Sequence, residues 1–456
     1  MKIINPANHT VIKEVEEDTS ATIQEKFKLA KAGQKKWAKV PLSERKAAIL
    51  KFRTLLSEQK TRLGELLTSE MGKPVSQAKN EVNGTLGRID FFLEHIDSVL
   101  NPQTVFADAA QYLNETISQE PLGVIANISA WNYPYFVGGN VFVPALLTGN
   151  AVLYKPSEFA TLTGLAITDL LYQAGIPKDV FIPVIGTGQV GAQLLEQPLN
   201  GVFFTGSYPT GVKIAQAAAK QLMKVQLELG GKDPIYVCED VNVQAVAEAT
   251  ADGAFYNNGQ SCCSVERIYV HASIFDSFVE HFMGTVRGFQ SGDPMNEKTY
   301  IGPLTRAAQL EILERQVADA KAKGATVLSG GKRMSGAGNY FEPTVLVNVT
   351  HQMEVMREES FGPIIGIQKV SNDAEALALM NDTVYGLTAG VYTKNEQRAK
   401  QLMAEMNAGS VYWNCCDRVS PRLPWSGRGH SGIGATLSVA GIQTFLQPKA
   451  WHLKNV

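Results

Sequence analysis

The stretch VFFTGSYPTGVKIAQAAAKQLMKVQLELGGK, residues 202–232, contains the pattern that decides the fold. It opens with the apolar run Val202–Phe204, passes a glycine turn into a helical pattern over Gly211–Leu222, and returns to an apolar run at Lys224–Leu227. Two short strands joined by a helix are typical of a parallel sheet, because parallel neighbours need a crossover connection of about this length. The stretch therefore predicts one strand–helix–strand unit of an α/β fold.

The same alternation continues on both sides of this unit. Upstream, the pattern predicts strands at Gly123–Ser129, Ala151–Tyr154 and Phe181–Ile185 and a helix at Leu162–Tyr172. Downstream of Asp233, it predicts helix Val241–Tyr256, strand Arg267–His271, helix Ile274–Val286, helix Arg306–Lys323 and strand Thr326–Leu328. Because 456 residues exceed one ordinary core, we expect two α/β units that meet near Gly230-Gly231.

The first hundred residues predict helices. Apolar residues recur at helical spacing in Ala21–Val40, Ser43–Met71 and Ser76–Leu100, and Gly72-Lys73-Pro74 ends the second of these segments. The longest apolar stretch of the chain, Tyr135–Tyr154, is interrupted by glycines and by a proline. It is therefore expected to be protein core and not a membrane span.

The composition excludes several classes of protein. A net charge of −2 gives no basic surface for a nucleic acid and no attraction to a membrane. The 5 cysteines contain no C-x-x-C pair, which favours a reducing compartment, and the 7 scattered histidines show no metal-ligand spacing. The N-terminal sequence MKIINPANHTVIKEV lacks the apolar segment of a signal peptide. We therefore expect a cytoplasmic protein without a metal, a nucleic-acid partner or a membrane partner.

Three polar turns follow predicted strands and could hold a dinucleotide. The first, G-x-G-x-x-G at Gly186–Gly191, lacks the acidic residue expected about 20 positions later, which weakens the usual fingerprint. The second, Thr205-Gly206-Ser207, opens a helix whose N-terminus can bind a phosphate, although Ser207 could also be a plain cap. The third, Lys155-Pro156-Ser157-Glu158, offers a cation and a carboxylate for ribose hydroxyls, or is only an exposed polar turn.

Two adjacent cysteines, Cys262 and Cys263, follow the polar lead-in NNGQS at residues 257–261. Adjacent cysteines rarely bond to each other, because a disulfide strains the small ring that would close between them. The lead-in predicts a flexible polar loop, and a thiol on such a loop can be a nucleophile. A small apolar filler in the core is the alternative role for either cysteine.

Three further segments carry polar side chains in apolar or aromatic surroundings. Glu228 ends an apolar strand, and burial would raise its pKa toward that of a useful general base. Asn132 lies between two aromatic residues in AWNYP, where its amide can donate to a developing oxyanion. Glu359 and Phe361 place an acid and an aromatic ring on the turn ESFGP.

Six segments, WNYP, KPSE, FTGS, LELGGK, GQSC and EESFGP, follow one another in this order. In this order they resemble the motifs of the aldehyde dehydrogenase superfamily, and the resemblance covers nearly the whole chain. The spacing of 34 positions between Glu228 and Cys262 (262 − 228) is similar to that usual in the hydrolytic, non-acylating members of the superfamily. The resemblance implies an α/β fold with three parts. These are a Rossmann-like cofactor domain at 1–104 and 121–230, an α/β catalytic domain at 231–435, and a small β oligomerisation arm and tail at 105–120 and 436–456.

The resemblance also implies a mechanism and its residues. Cys262 is the position of the nucleophile, Asn132 that of the oxyanion donor and Glu228 that of the base that activates water. Cys263 is then a packing neighbour, with a transient bond to Cys262 as a lesser alternative. The implied cofactor contacts are Trp131, Lys155, Ser157, Glu158, Gly186, Thr205, Gly206, Ser207, Leu229, Glu359 and Phe361. A carboxylate at Glu158 accepts from a ribose hydroxyl and repels a 2′-phosphate, so NAD is preferred and NADP remains possible.

The substrate is less well specified than the reaction. Succinate semialdehyde enzymes that resemble this chain usually carry an arginine eight positions after Asn132. This chain has Asn140 there, which argues against succinate semialdehyde as the substrate. Either Arg418 or Arg422 could instead pair with a negatively charged aldehyde, or both could be solvated. The remaining residues expected to line the substrate pocket are Tyr133, Val137, Ser261, Cys263 and Trp425.

Several alternatives remain open at this stage. A semialdehyde dehydrogenase for a carboxylate-bearing aldehyde, a reductase of acyl donors, and a retired relative with a structural or binding role share the same motifs, although the retained Glu228 argues against the reductase. The resemblance further implies an oligomer, because Val105–Glu120 and Gly441–Trp451 match the hairpin and the tail that associate in the family. A homodimer or a homotetramer is therefore expected.

Overall fold

The structure, a computed structural model, describes residues 1–455. Two short antiparallel strands precede four helices, and the bounds are β1 Lys2–Ile4, β2 Val11–Glu14, α1 Ser20–Trp37, α2 Leu42–Glu58, α3 Lys60–Met71 and α4 Val75–Leu100. The continuous helical pattern predicted over Ser43–Met71 is in fact two helices. Gln59, with φ of −101° and ψ of 12°, interrupts the helical conformation between them. Gly72 ends α3 in the left-handed conformation, with φ of 84°, as a helix-stopping glycine does.

The stretch around residues 202–232 belongs to a six-stranded sheet in the order β17-β9-β8-β5-β6-β7. Its strands are β5 Val124–Ile128, β6 Ala151–Lys155, β7 Phe181–Pro183, β8 Gly201–Thr205, β9 Lys224–Glu228 and β17 Gly432–Ile433. The crossover helices are α5 Pro134–Leu147, α6 Thr161–Ala174, α7 Gly188–Leu194 and α8 Tyr208–Ala219. All pairs are parallel except β17 with β9, so the predicted strand–helix–strand alternation is confirmed.

A second sheet has seven strands in the order β12-β13-β14-β11-β10-β15-β16. Its strands are β10 Asp233–Val237, β11 Val265–His271, β12 Thr326–Ser329, β13 Thr344–Val347, β14 Ile364–Val370, β15 Thr388–Tyr392 and β16 Ser410–Trp413. Its helices are α9 Val243–Phe255, α10 Phe275–Arg287, α11 Ala307–Ala322, α12 Asp373–Asn381 and α13 Glu396–Glu405. Only the β12–β13 pair is antiparallel, so this half is also an α/β layer.

A third, three-stranded antiparallel sheet joins the middle of the chain to its end. Its strands are β3 Gln103–Asp108, β4 Leu113–Pro121 and β18 Leu446–Lys454, and α14 Ser438–Gln443 leads into the last of them. The whole of β18 pairs with β4, from Leu446 opposite Pro121 to Lys454 opposite Leu113. The predicted pairing of the hairpin with the tail is therefore present.

The apolar stretch Tyr135–Tyr154 forms α5 and most of β6, and it lies in the interior. Only Phe136 of α5 is not buried, so this helix has no solvent-facing stripe and packs against neighbours on all sides. The prediction of protein core for this stretch is confirmed. Within residues 1–455, no helix is both long enough and apolar enough to cross a membrane.

Candidate active site

Several of the polar residues singled out from the sequence lie at one edge of the six-stranded sheet. Lys155, Thr205 and Glu228 are the last residues of β6, β8 and β9, and Asn132 follows β5 by four positions. Because these strands are parallel, their carboxyl ends meet at the same edge. Open α/β sheets bind ligands at this edge, so the topology gathers the predicted groups into one region.

The chain between α9 and β11 carries the two adjacent cysteines and is called the nucleophile loop here (residues 257–263). Asn257, Asn258 and Gly259 have φ values of 53°, 58° and 69°, three successive left-handed residues. Asparagine and glycine are the residues that tolerate this conformation best, which gives the sequence Asn-Asn-Gly its physical reason. All three residues are buried, so the prediction of a flexible polar loop is wrong. Interior packing holds this loop in one conformation.

Hydrogen bonds tie the nucleophile loop to the residue predicted as oxyanion donor. The carbonyl of Gln260 accepts from the Asn132 side-chain amide at 3.2 Å and from the Asn257 amide at 3.0 Å. The Asn257 backbone N–H in turn donates to the Gln77 side chain at 2.8 Å. An amide carries two N–H groups, and this contact uses one of those on Asn132. The second can donate to an oxyanion that forms on a substrate.

A buried ion pair that the sequence analysis did not single out lies behind Asn132. The Lys73 ammonium contacts the Glu81 carboxylate and donates to the Asn132 backbone carbonyl at 2.6 Å. Glu81 also accepts from the Tyr135 backbone N–H at 2.9 Å. Burial lowers the pKa of Lys73 and raises the pKa of Glu81, and their mutual attraction opposes both changes. In the sequence, Lys73 stands in the segment Gly72-Lys73-Pro74, which predicts only the end of a helix and no role for the lysine.

Glu228, at the end of β9, is 4% exposed. Its Oε1 accepts from the Gln226 side-chain amide at 3.1 Å and from the Thr436 hydroxyl. Burial raises the pKa of Glu228 to about 7, and the Thr436 hydrogen bond opposes that rise. A carboxylate with such a pKa is half ionised near neutral pH and can accept a proton from water. Thr436 was missed because it lies 208 positions away in the sequence.

The two adjacent cysteines differ in their surroundings. Cys263 is 5% exposed, and its thiol lies 3.1 Å from Oδ1 of Asp417 and 3.4 Å from the Ser261 hydroxyl. A hydrogen bond with Cys262 and burial raise the pKa of Cys263, which keeps this thiol protonated. Cys262 is half-buried and faces the cavity described next. The more accessible of the two sulfurs is therefore that of Cys262. All five cysteines of the chain are free.

A cavity of about 620 Å³ opens beside Cys262 and is also lined by Asn132 and Glu228. Every residue predicted to line the substrate pocket borders it, namely Tyr133, Val137, Asn140, Ser261, Cys263, Arg418, Arg422 and Trp425. Helix α4 supplies a further wall that the sequence analysis missed, with Gly84, Gly87 and Arg88 among its residues. A reacting carbonyl inside this cavity can reach a thiol, an amide donor and a carboxylate.

Several of the residues that the family resemblance assigns to the cofactor lie close together. The ring of Trp131, which the resemblance places at the pyrophosphate, meets the Phe361 ring edge to face with centroids 5.5 Å apart. The Glu359 side chain accepts from the Gly231 backbone N–H at 3.2 Å, and burial raises the pKa of Glu359 to about 8. A Cβ on Gly230 would lie 2.3 Å from the Glu359 carboxylate, so only glycine allows this close approach. Leu229 of the same segment packs over the helix α8.

The residues predicted on the adenosine side follow β6. Lys155 is 3% exposed, and its ammonium has one hydrogen bond, to the Pro156 carbonyl at 3.3 Å. The Ser157 hydroxyl contacts the Glu158 carboxylate at 3.3 Å, and Glu158 is only half-buried. A buried ammonium that forms no ion pair among residues 1–455, beside an open carboxylate, offers a donor and an acceptor for ribose hydroxyls. These residues fit a nicotinamide dinucleotide.

The two glycine turns differ in what their residues contact. Ser207 is the N-cap residue of α8, but its hydroxyl bonds to Thr210 at 3.1 Å and does not cap the helix. The alternative of a plain side-chain cap at Ser207 is therefore not observed, and the first N–H groups of α8 remain available to a phosphate. Gly186 has a φ of 152°, and a Cβ there would lie 2.3 Å from Val190. The part of the chain that the structure covers holds no cluster of metal-ligating side chains.

Comparison with known proteins gives one family. The family model described as "Aldehyde dehydrogenase family" matches residues 1–451. Aminoaldehyde dehydrogenase 2, peroxisomal, of Malus domestica is 33% identical over 457 residues, which cover 98% of this chain and 91% of the relative. A putative succinate-semialdehyde dehydrogenase [NADP(+)] 2 of Mycobacterium ulcerans (strain Agy99) is 35% identical over 433 residues, which cover 94% of this chain and 84% of that protein.

Solved structures agree with the sequence relatives. The structure of a 3,6-anhydro-L-galactose dehydrogenase in complex with NAP superposes with a TM-score of 0.96 at 35% sequence identity. The superposition covers 100% of this chain and 96% of that one. The similarity therefore extends over all three sheets and over both sides of the site.

Proposed function

The chain belongs to the aldehyde dehydrogenase family and oxidises an aldehyde with a nicotinamide dinucleotide, and from this premise we propose that Cys262, Glu228 and Asn132 carry the reaction. The observation that carries the proposal is that the three side chains line one cavity. The hydrogen bond between Asn132 and the backbone of the nucleophile loop supports it, because the amide donor and the thiol are then held by the same segment.

The proposed mechanism assigns one step to each group. The Cys262 thiolate adds to the aldehyde carbon, and the Asn132 amide and the Cys262 backbone N–H stabilise the oxyanion. A bound nicotinamide supplies the hydride acceptor, and the acyl group remains on the sulfur as a thioester. Glu228 removes a proton from the water that attacks this thioester, which releases a carboxylic acid and restores the thiol. Lys155, Glu158, Trp131 and Phe361 would hold the cofactor.

The preference for NAD over NADP is part of the proposal. Glu158 is the group that would repel a 2′-phosphate. The Glu17 carboxylate accepts from the Thr187 backbone N–H at 3.3 Å and adds negative charge near Lys155. Both acids favour a free ribose hydroxyl over a phosphate. Higher catalytic efficiency with NADP than with NAD would contradict this part.

The domain boundaries, the oligomer and the location extend the proposal. We assign cofactor binding to 1–104 and 121–230, catalysis to 231–435, and association to the arm and tail at 105–120 and 436–456. The third sheet supports a homodimer or homotetramer, because β18 leaves Trp451 42% exposed and β3 leaves Phe106 47% exposed. A cytoplasmic location is inferred from the composition. Light scattering at micromolar concentration tests the assembly, and a monomer there would refute it.

The test of the proposed reaction is NADH formation followed by absorbance. Wild type receives a panel of aliphatic, aromatic, amino and carboxylate-bearing aldehydes, with Cys262→Ala and Cys415→Ala as a matched pair of thiol variants. Cys262→Ala should lose at least about 10⁴-fold in turnover, because it removes the nucleophile. Cys415→Ala should remain near wild type, since Cys415 does not border the cavity. Equal turnover of both variants would overturn the assignment, and acyl-CoA formation faster than hydrolysis would contradict the role of Glu228.

A second candidate, oxidation of a carboxylate-bearing aldehyde in particular, is favoured by the arginines at the cavity. The retired relative is not favoured, because all three reacting groups are present and share a cavity. The charge of the substrate is therefore the next question.

A further inference from the structure

We propose that Arg88 is the binding site for an anionic group of the substrate, and that the enzyme is built for an aldehyde with a carboxylate at its far end. The inference rests on the proposed function, because it assigns the second end of the same cavity. It places the cation on α4, within hydrogen-bond distance of Asn140 on α5.

Arg88 is a buried cation that forms no ion pair. Its side chain is 8% exposed, and no carboxylate of residues 1–455 lies within 4 Å of its guanidinium. Its single hydrogen bond goes from Nη1 to the Asn140 side-chain oxygen at 2.9 Å. A guanidinium has five N–H donors, so four remain without a protein acceptor while the side chain borders the cavity. A buried, unpaired charge of this kind is costly unless a ligand pairs with it.

The surroundings fix the guanidinium in place. Its carbon lies 3.8 Å from the centre of the Phe136 ring, and Phe136 stacks with Tyr133 at 5.8 Å. The Lys73 ammonium lies 3.6 Å from the centre of the Tyr133 ring. Tyr133 directly follows Asn132 in the sequence. Arg88 is thus connected through two rings to the oxyanion donor. Asn140 holds the guanidinium from α5, through the hydrogen bond at 2.9 Å.

Two glycines of α4 have different roles beside Arg88. A Cβ on Gly84 would meet the Phe136 ring at 2.8 Å, so this glycine lets the ring that packs on Arg88 approach the helix. A Cβ on Gly87 would meet no atom within 4 Å, so the space beside Gly87 is open. Both residues border the cavity. The same helix therefore carries the cation and open space next to it.

The acidic residues of the cavity have hydrogen-bond partners other than Arg88, so none of them occupies its guanidinium. Glu81 is paired with Lys73, and Asp252 accepts from the Tyr300 hydroxyl at 2.5 Å. Asp417 accepts from the Cys263 thiol at 3.1 Å, and Glu228 accepts from Thr436. At the mouth, the exposed Arg418 and Arg422 add two positive charges on the path into the cavity. The N–H donors of Arg88 therefore stay available to an anionic group of a substrate.

The experiment compares matched pairs of aldehydes. Succinate semialdehyde is paired with butanal and glutarate semialdehyde with pentanal, and 4-aminobutanal serves as the cationic analogue. In wild type, kcat/KM should be at least 10-fold higher for a carboxylate aldehyde than for its uncharged partner. In Arg88→Gln this ratio should fall about 10- to 100-fold, because charge-assisted hydrogen bonds to the carboxylate are lost. Arg88→Lys, which keeps the charge, should restore part of the ratio.

Two further measurements distinguish binding of the substrate carboxylate by Arg88 from an indirect electrostatic effect of Arg88 on the reaction. Arg88 also attracts the Glu228 carboxylate, so a purely electrostatic role would move the pH profile of every aldehyde equally and leave the ratio unchanged. Arg53→Gln, a surface arginine paired with Asp90 of α4, is the matched control and should keep the wild-type ratio. A ratio near one in wild type, an unchanged ratio in Arg88→Gln, or the highest efficiency with 4-aminobutanal would each overturn the proposal.

A binding measurement keeps the test independent of turnover. Succinate should raise the thermal transition of wild type more than butanamide does, and Arg88→Gln should lose this difference. If wild type oxidised no aldehyde, the proposed function would fail while the succinate shift still reported on the anion site. If succinate gave no more protection than butanamide, the anion site would fail even with an active enzyme.

Discussion

The nucleophile loop and the loop at the mouth of the cavity, residues 414–424, border the same space and are held in opposite ways. The nucleophile loop is buried, and hydrogen bonds from several elements fix it. The mouth loop exposes Arg418, Arg422 and Leu423, the last by 64%. Both loops contain an asparagine in the left-handed conformation, Asn258 and Asn414. The chemical half of the site is therefore enclosed by the interior, whereas much of the mouth loop faces solvent.

This difference also explains what a family resemblance can and cannot identify. A segment that must fit the interior in one conformation keeps its residue types, so its motif is readable. The recognition of a particular aldehyde depends on the cavity walls, and those come from α4, α5 and the mouth loop. Such walls can change while the reaction stays the same.

The largest expected effect lies on the chemical side, at Glu228. Glu228→Gln should lower steady-state turnover by about 10²- to 10⁴-fold, because the variant cannot deprotonate the attacking water. The first turnover should persist, so NADH should appear as a burst of one equivalent per active subunit followed by a slow phase. Rapid-mixing absorbance measures both phases. A variant that lost the burst as well would show that Glu228 acts before the thioester forms.

The second prediction compares the two asparagines directly. Asn258→Ala removes the bonds from its amide to the Pro303 carbonyl and from the Gly302 N–H to its oxygen, both 2.9 Å, and places alanine at φ 58°. We expect a loss of about 3 kcal/mol in the free energy of unfolding, because two buried groups lose their partners. Urea denaturation measures this loss.

The matched variant for that comparison is Asn414→Ala on the mouth loop. Asn414 makes the same pair of hydrogen bonds, both 3.0 Å to the backbone of Thr393, at φ 56°. Because Asn414 is exposed, water can replace these bonds, and the loss should be about 1 kcal/mol. Equal losses in the two variants would mean that burial does not distinguish the nucleophile loop from the exposed mouth loop.

The third prediction concerns the pH dependence of thioester hydrolysis. Glu228 is active when ionised, so turnover limited by this step should rise with pH through about 7. Thr436→Val removes a hydrogen bond that stabilises the carboxylate, so the pKa should increase and the rising limb should move to higher pH. The pH profile of kcat measures the shift. A limb that moved to lower pH would contradict the assignment of the donor.

The smallest effect is expected at the mouth. Arg422→Gln should change kcat/KM for a carboxylate aldehyde by only a few-fold, and the change should vanish at high salt, because an exposed charge acts mainly on the encounter. Steady-state kinetics at 20 mM and 500 mM salt test this prediction. The electrostatic screening length is roughly 20 Å at the lower concentration and roughly 4 Å at the higher one. An effect as large as that of Arg88→Gln would mean that the anion binds at the mouth.

The local sequence was enough to specify the alternation of strands and helices, the glycine turns and the order of the motifs. Those features depend on neighbouring residues, through hydrophobic periodicity and backbone preference, so they are readable along the chain. The same local reasoning was wrong where long-range packing decides. It predicted a flexible nucleophile loop and a helical pattern continuous through Gln59.

Only the tertiary structure decided which side chains face the substrate. Arg88 and Asn140 are 52 positions apart in the sequence, yet their side chains form a hydrogen bond. Glu228 and Thr436 also form one, across 208 positions. Lys73 reached Asn132 in the same way, across 59 positions. A contact between distant residues leaves no periodic trace in the sequence, because it is created by the packing of separate elements. The sequence therefore determined the reaction, and the packing of α4 against α5 determined where a carboxylate could be bound.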